Sequence, residues 1–176
     1  MRPDRLTELR NISIEAQSPT GAVIARTAGR GLPRVEIMGA ALTEHSEDSL
    51  AAEIEETIAE AMEAHREEIE AVTDGRLRKE YVARTEDLPR ETRERERLGL
   101  NAIREVEATG TSPGGYVIAR AFGDGDLVIA FNNNPLRRKE VTIDVLTNEI
   151  NEAIETASRA FSEKAAESLT NLNAKA

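Results

Sequence analysis

Apolar positions along this chain follow two periods, and the switches between them divide it into elements. Ile12-Ser13-Ile14-Glu15-Ala16 alternates apolar and polar residues as a half-buried strand does, and Ser18-Pro19-Thr20-Gly21 is turn chemistry. Ala22 to Thr27 reads as a second strand running into Gly29-Arg30-Gly31, and Val35 to Met38 as a third. The pattern predicts a three-stranded antiparallel meander. The period then lengthens: Leu50, Ile54, Ile58, Ala61 or Met62, and Ile69 recur at three- and four-residue steps, which predicts a long amphipathic helix. Ser46 is placed as its N-cap, with Glu47 and Asp48 against the positive end of the helix dipole.

The same order of elements returns. Ile103 to Ala108, Tyr116 to Phe122 and Leu127 to Phe131 predict a second meander, turning at Ser112-Pro113-Gly114-Gly115 and Gly123-Asp124-Gly125. Leu146, Ile150, Ile154, Ala157, Phe161, Ala165, Leu169 and Leu172 predict a second long helix. The recurrence is also literal. SPTGAVIARTAG at 18–29 aligns with SPGGYVIARAFG at 112–123 at an offset of 94, and EIEETIAEA at 53–61 aligns with EINEAIETA at 149–157 at an offset of 96. Two matches in one order, with a two-residue slip between them, point to an internal repeat. From Pro89, RETRERERLGLNAIREVE reads as a helix with interleaved Arg and Glu, leading into the second meander; its counterpart before the first is reduced to Asp4–Arg10. The expected fold class is α+β, with a first unit over 1–72, a polar linker over 73–88 and a second unit over 89–176.

Composition removes most chemistries. The 176 residues include no Cys, so there is no disulfide framework, no thiolate nucleophile and no Cys-ligated metal. His45 beside a helix start and His65 on a polar helix face read as surface residues, which leaves no metal-ligand set. Asp124-Gly125-Asp126 lacks the further spaced ligands of a calcium loop. Both Gly-x-Gly turns are hairpin glycines without a Walker or dinucleotide context, and no carboxylate pair stands out as general acid and base. The expectation is a non-enzyme with no catalytic residue, cofactor or metal. The first residues, MRPDRLTELRNISIE, are charged throughout, and no stretch approaches the roughly 20 apolar residues of a bilayer span. A protein without membrane contact is expected, cytoplasmic or exported by a route that uses no cleaved signal.

A short leading helix, a meander with a Gly-centred hairpin, then a long helix opening on acidic residues resembles the YbaB/EbfC family of bacterial nucleoid-associated DNA-binding proteins. The form is that of the divergent actinobacterial members, with two tandem copies. SPTGAVIARTAGRGLPRVEIMGAAL and SLAAEIEETIAEAMEAHRE carry the likeness in the first copy, SPGGYVIARAFGDGDLVIAF and LTNEINEAIETA in the second. The resemblance implies two three-stranded units side by side in one sheet, helices projecting like tweezers, an internal pseudo-dimer, and nucleoid localisation with DNA binding of little sequence specificity.

Charge qualifies that expectation. The net charge of -10 divides as +2 over residues 1–43, -10 over 44–70, zero over 71–107 and -2 over 108–176. Any contact with double-stranded DNA is therefore local, through phosphates. The candidates are Arg76, Arg78 and Lys79; Arg90, Arg93 and Arg97, interleaved with Glu91, Glu94 and Glu96; and Arg137-Arg138-Lys139. The aromatic residues Tyr81, Tyr116, Phe122, Phe131 and Phe161 are too scattered to form a single-strand stacking platform. The acidic helix over 44–70 suits a basic protein partner instead, giving an alternative reading as a protein–protein adaptor or chaperone-like factor; some actinobacterial relatives are encoded near specialised secretion systems. Either reading leaves room for a homodimer.

Overall fold

The alternating segments pair as strands in the register that buries their apolar faces. In a computed structural model, which describes residues 9–28, 31–39, 41–73, 84 and 88–174, β1 (Ser13–Gln17), β2 (Val23–Ala28) and β3 (Leu32–Ile37) form one antiparallel sheet in that order. A short helix α1 (Ala41–Glu44) and the long α2 (Glu47–Val72) follow. Helix α3 (Arg90–Arg104) leads into a second antiparallel sheet of β4 (Glu107–Thr111), β5 (Val117–Phe122) and β6 (Leu127–Phe131). A 3-10 turn (Pro135–Arg137) and α4 (Ile143–Ala174) close the chain. Residues 9–11 are helical; the rest of the expected leading helix, Gly29-Arg30 and most of the 73–88 linker lie outside the described residues.

The two sheets share local geometry at the offset seen in the sequence. Ala16 faces Ala25 and Ala25 faces Val35 in the first; Gly110 faces Ala119 and Ala119 faces Ile129 in the second, each 94 residues on. Val23 N–H donates to Ser18 Oγ at 3.0 Å, and Val117 N–H to Ser112 Oγ at 3.0 Å. Gly21 (φ +73°) and Gly115 (φ +71°) hold the left-handed conformation these turns require, a region that side chains with a Cβ avoid.

Helix α2 begins where its cap allows. Ser46 Oγ accepts from Ser49 N–H and Ser49 Oγ accepts from Ser46 N–H, a reciprocal capping box. The helix lays Leu50, Ile54, Ile58 and Ala61 on β1 and β2 and reaches across to β6; α4 lays Leu146, Ile150, Ile154 and Ala157 on β4 and β5 and reaches across to β3. The result is one continuous core containing residues from both sheets and both long helices. Each fully buried Leu or Ile contributes about 1.5–3 kcal/mol, so these two stripes dominate the apolar gain.

No ladder joins the two sheets among the described residues, in contrast to the single side-by-side sheet that the resemblance implies. Helix side chains take the outer edge of each last strand instead. Val35 N–H donates to Asn151 Oδ1 at 2.8 Å, Asn151 Nδ2 donates to the Val35 carbonyl at 2.8 Å, and Ile37 N–H donates to Thr147 Oγ1 at 3.3 Å. On the other edge, Ile129 N–H donates to Glu55 Oε1 at 2.7 Å. Covered edges of this kind do not recruit another strand.

Two expectations need correction. The strand expected at Ile103 to Ala108 starts at Glu107, because the helical ladder of α3 continues past Ile103 and Glu105 N–H still donates to the Asn101 carbonyl. Gly123 receives that helix end: a Cβ there would lie 2.0 Å from the Ile103 carbonyl oxygen. His65, read as a surface residue, is buried to 6% exposure against Gly31, with its Nε2 unpartnered among the described residues.

Candidate nucleic-acid interface

Arg90, Arg93 and Arg97 recur at three- and four-residue steps, so they share one face of α3. The opposite face carries Gly99, which is buried because α3 packs there on α4; a Cβ at Gly99 would lie 3.3 Å from Leu169 Cδ2. The three guanidinium groups are therefore held outward in solvent by a packed helix. They line a shallow groove of about 390 Å³ together with Glu94. Arg97 Nη2 lies 4.0 Å from Glu94 Oε1, an exposed pair that contributes little, while Arg90 and Arg93 have no ion pair among the described residues. Helix α3 carries five Arg against three Glu, whereas α2 carries ten acidic residues against the one base Arg66.

Arg137, Arg138 and Lys139 are all exposed at the end of the 3-10 turn, but they are not equivalent. Arg138 is tied down: Nε donates to the Asn133 carbonyl at 2.8 Å, Nη1 lies 3.3 Å from Glu140, and the guanidinium sits 5.7 Å from the Tyr116 ring centroid. Local hydrogen bonding at its own backbone and the Arg138 guanidinium hold the Glu140 carboxyl below its ordinary pKa. Arg137 and Lys139 have no ion pair among the described residues and remain available to a phosphate. Beside them, exposed Asn132, Asn133 and Asn134 add amide donors that sequence reasoning overlooked. Asn133 (φ 60°) and Asn134 (φ 50°) are left-handed, a conformation Asn tolerates better than most residues; they fall between the 94-residue and 96-residue correspondences.

The structure keeps these patches apart. Arg137 and Lys139 precede the start of α4, whereas α3 packs near Leu169, about 39 Å further along that helix at 1.5 Å per residue. Arg76, Arg78 and Lys79 lie outside the described residues. On the sheet surface Arg26 is neutralised by Glu15 at 2.7 Å and Glu36 at 2.6 Å, and Arg120 lies 3.9 Å from Glu107.

One polar cluster has the outward form of a catalytic relay. Ser49 Oγ is 3.3 Å from His45 Nδ1, and His45 Nε2 is 3.4 Å from Glu53 Oε2, with both the His45 and Glu53 side chains 10% exposed. The hydroxyl is committed elsewhere, since Ser49 Oγ accepts from Ser46 N–H and contacts the Ser46 carbonyl at 3.2 Å within the helix cap. The carboxylate is likewise structural. Burial pushes the Glu53 carboxyl up, but hydrogen bonds from Ser18 and Thr20 and the nearby His45 outweigh that and hold it below its ordinary value. Glu149, 96 residues on, accepts from Ser112 Oγ and from Gly114 N–H at 3.0 Å, clamping the corresponding turn of the second meander. The contacts of the cluster are those of a helix cap joined to a turn-to-helix clamp.

No family model matches this chain, and neither a curated protein nor a solved structure matches it. No described helix is long and apolar enough to cross a membrane.

Proposed function

We propose that this chain is a non-catalytic, nucleoid-associated protein that binds double-stranded DNA with little sequence specificity. The observation that carries the reading is the outward Arg90, Arg93 and Arg97 stripe, fixed on a helix that is itself packed against α4. Guanidinium groups in a row along one helix face suit phosphate oxygens, which supply most non-specific affinity and carry no sequence information. Arg137 and Lys139 give a second, smaller contact. The dense acidic charge lies on α2, a different helix from the one that carries the basic stripe.

The architecture is read as an internal pseudo-dimer of two YbaB-like units. Matching turns at Ser18 and Ser112, matching clamps at Glu53 and Glu149, and edge contacts from Glu55 and Asn151, 96 residues apart, support that reading. One chain would then present the two-helix scaffold that single-unit relatives assemble from two.

The test is fluorescence anisotropy with a labelled random-sequence duplex at low salt, comparing the wild type with Arg90→Gln/Arg93→Gln/Arg97→Gln. The reading expects the triple variant to bind at least about tenfold more weakly, with thermal stability unchanged because all three side chains are exposed. Equal affinity of the two proteins would remove α3 from the interface, and no binding by either would remove DNA as the ligand.

A further inference from the structure

A separate surface carries chemistry opposite to that of the stripe. Where the β5–β6 hairpin passes between α2 and α4, it leaves a crevice of about 210 Å³ walled by Met62, Phe122, Leu127, Ile154 and Phe161. Met62, Gly125, Asp126 and Leu127 also line an adjoining trough of about 560 Å³ that runs along α2. The trough adds Glu56, Glu63 and Asp124 to its rim. Its single base among the described residues, Arg66, is bonded to Glu63, whereas Glu56, Asp124 and Asp126 have no ion pair among those residues. Among the described residues, the Asp124 carboxylate accepts only the Asp126 N–H at 3.1 Å, a bond local to the hairpin.

We propose that this groove docks a basic segment of a partner protein that inserts one large apolar side chain between Met62 and Phe161. The crevice is large enough for a single aromatic or long aliphatic side chain, and its walls are mostly apolar, with Asp126, Ser158 and Ser162 as the polar lining, so they supply affinity on desolvation. Lysine or arginine residues flanking that anchor would reach Glu56, Asp124 and Asp126. Charge complementarity fixes the class of partner. The same carboxylates repel the phosphates of nucleic acid and of anionic lipid, so the groove and the α3 stripe select different ligands. The inference does not depend on the stripe binding DNA.

The chain contains no Trp, so a peptide tryptophan can be observed alone. The probe is a synthetic nine-residue peptide with one tryptophan between two runs of four lysines, titrated against the full chain at low salt. The proposal expects saturable binding with a blue shift of the emission as the indole leaves water. It also expects binding about tenfold weaker for a control peptide with alanine in place of tryptophan. The variant Glu56→Gln/Asp124→Asn/Asp126→Asn should likewise bind the tryptophan peptide about tenfold more weakly, and it retains a carbonyl acceptor for the Asp126 N–H. Emission that stays at its solvent wavelength, equal affinity for the alanine peptide, or an unchanged affinity in the charge variant would each overturn the proposal, because the peptide would then be meeting only the general acidity of α2. A thermal melt of the variant confirms folding, and Met62→Lys, which places a like charge in the crevice wall, provides a second arm expected to abolish the blue shift.

Discussion

At the residue scale, small polar contacts decide how the two sheets are held. Asn151 is the clearest case, since its amide satisfies both the N–H and the carbonyl of Val35 on an otherwise open edge. Replacing it with an isosteric apolar residue leaves both groups without a partner, and an unsatisfied buried group costs about 1–3 kcal/mol. Asn151→Leu should therefore lower the urea midpoint by that much stability, with an unchanged denaturant slope; a variant as stable as the wild type would show that water serves the edge equally well. Glu53 gives a pH signature. Its folded-state pKa lies below the ordinary carboxyl value of 4.5, so its contribution is present above that value and is lost as pH falls through the folded one. Melting temperatures of Glu53→Gln should thus fall less steeply than those of the wild type below about pH 4.5, and parallel acid limbs would contradict the clamp. The sequence match already aligned Glu53 with Glu149, but it could not align the roles of Glu55 and Asn151. Those two differ in letter, and their partners are 74 and 116 residues away in the chain. His65 was misread because its helix face reads as polar in sequence, although the position 96 residues on is Phe161, which is a signal of burial.

At the element scale, the helices were legible because their apolar stripes repeat over several turns, and the Ser46 cap marks the start of α2. Strand β4 was shifted because it reads Glu-Ala-Thr-Gly-Thr, whose inward residues are Ala108 and Gly110. Glycine does not register as apolar, yet here it is the packing residue: a Cβ on Gly110 would lie 2.2 Å from Ala157 N and 2.4 Å from the Ala153 carbonyl oxygen. The obstacle is helix backbone, which cannot rotate aside. Gly110→Ala should destabilise by about 3 kcal/mol, at the upper end of ordinary overpacking, as α4 is forced off the sheet. In the first sheet Ala16 occupies the matching register position and α2 accommodates its methyl group, so Ala16→Gly should cost only about 1 kcal/mol. Chemical denaturation of the two variants tests the contrast, and similar losses would show that the two sheet–helix contacts are equally close.

At the scale of the whole molecule, the fold was legible because two patterns of period two and two of period near 3.6 followed one another in the same order. The candidate interface was less so. Sequence placed nine candidate cations in three runs, but only packing shows that Arg90, Arg93 and Arg97 face away from α4, that Arg138 is bound to its own loop, and that the patches lie far apart. The groove between α2 and α4 could not be read at all, since its walls come from both helices and a hairpin. Net charge alone argues against DNA, and its segregation onto α2 is what leaves a basic face open. The most direct test of that account is the dependence of duplex affinity on salt for the wild-type protein. Neutralising the three to five phosphates that Arg90, Arg93, Arg97, Arg137 and Lys139 can reach predicts a log–log slope of roughly -3 to -4.5. A slope near zero, or no measurable binding at low salt, would contradict it.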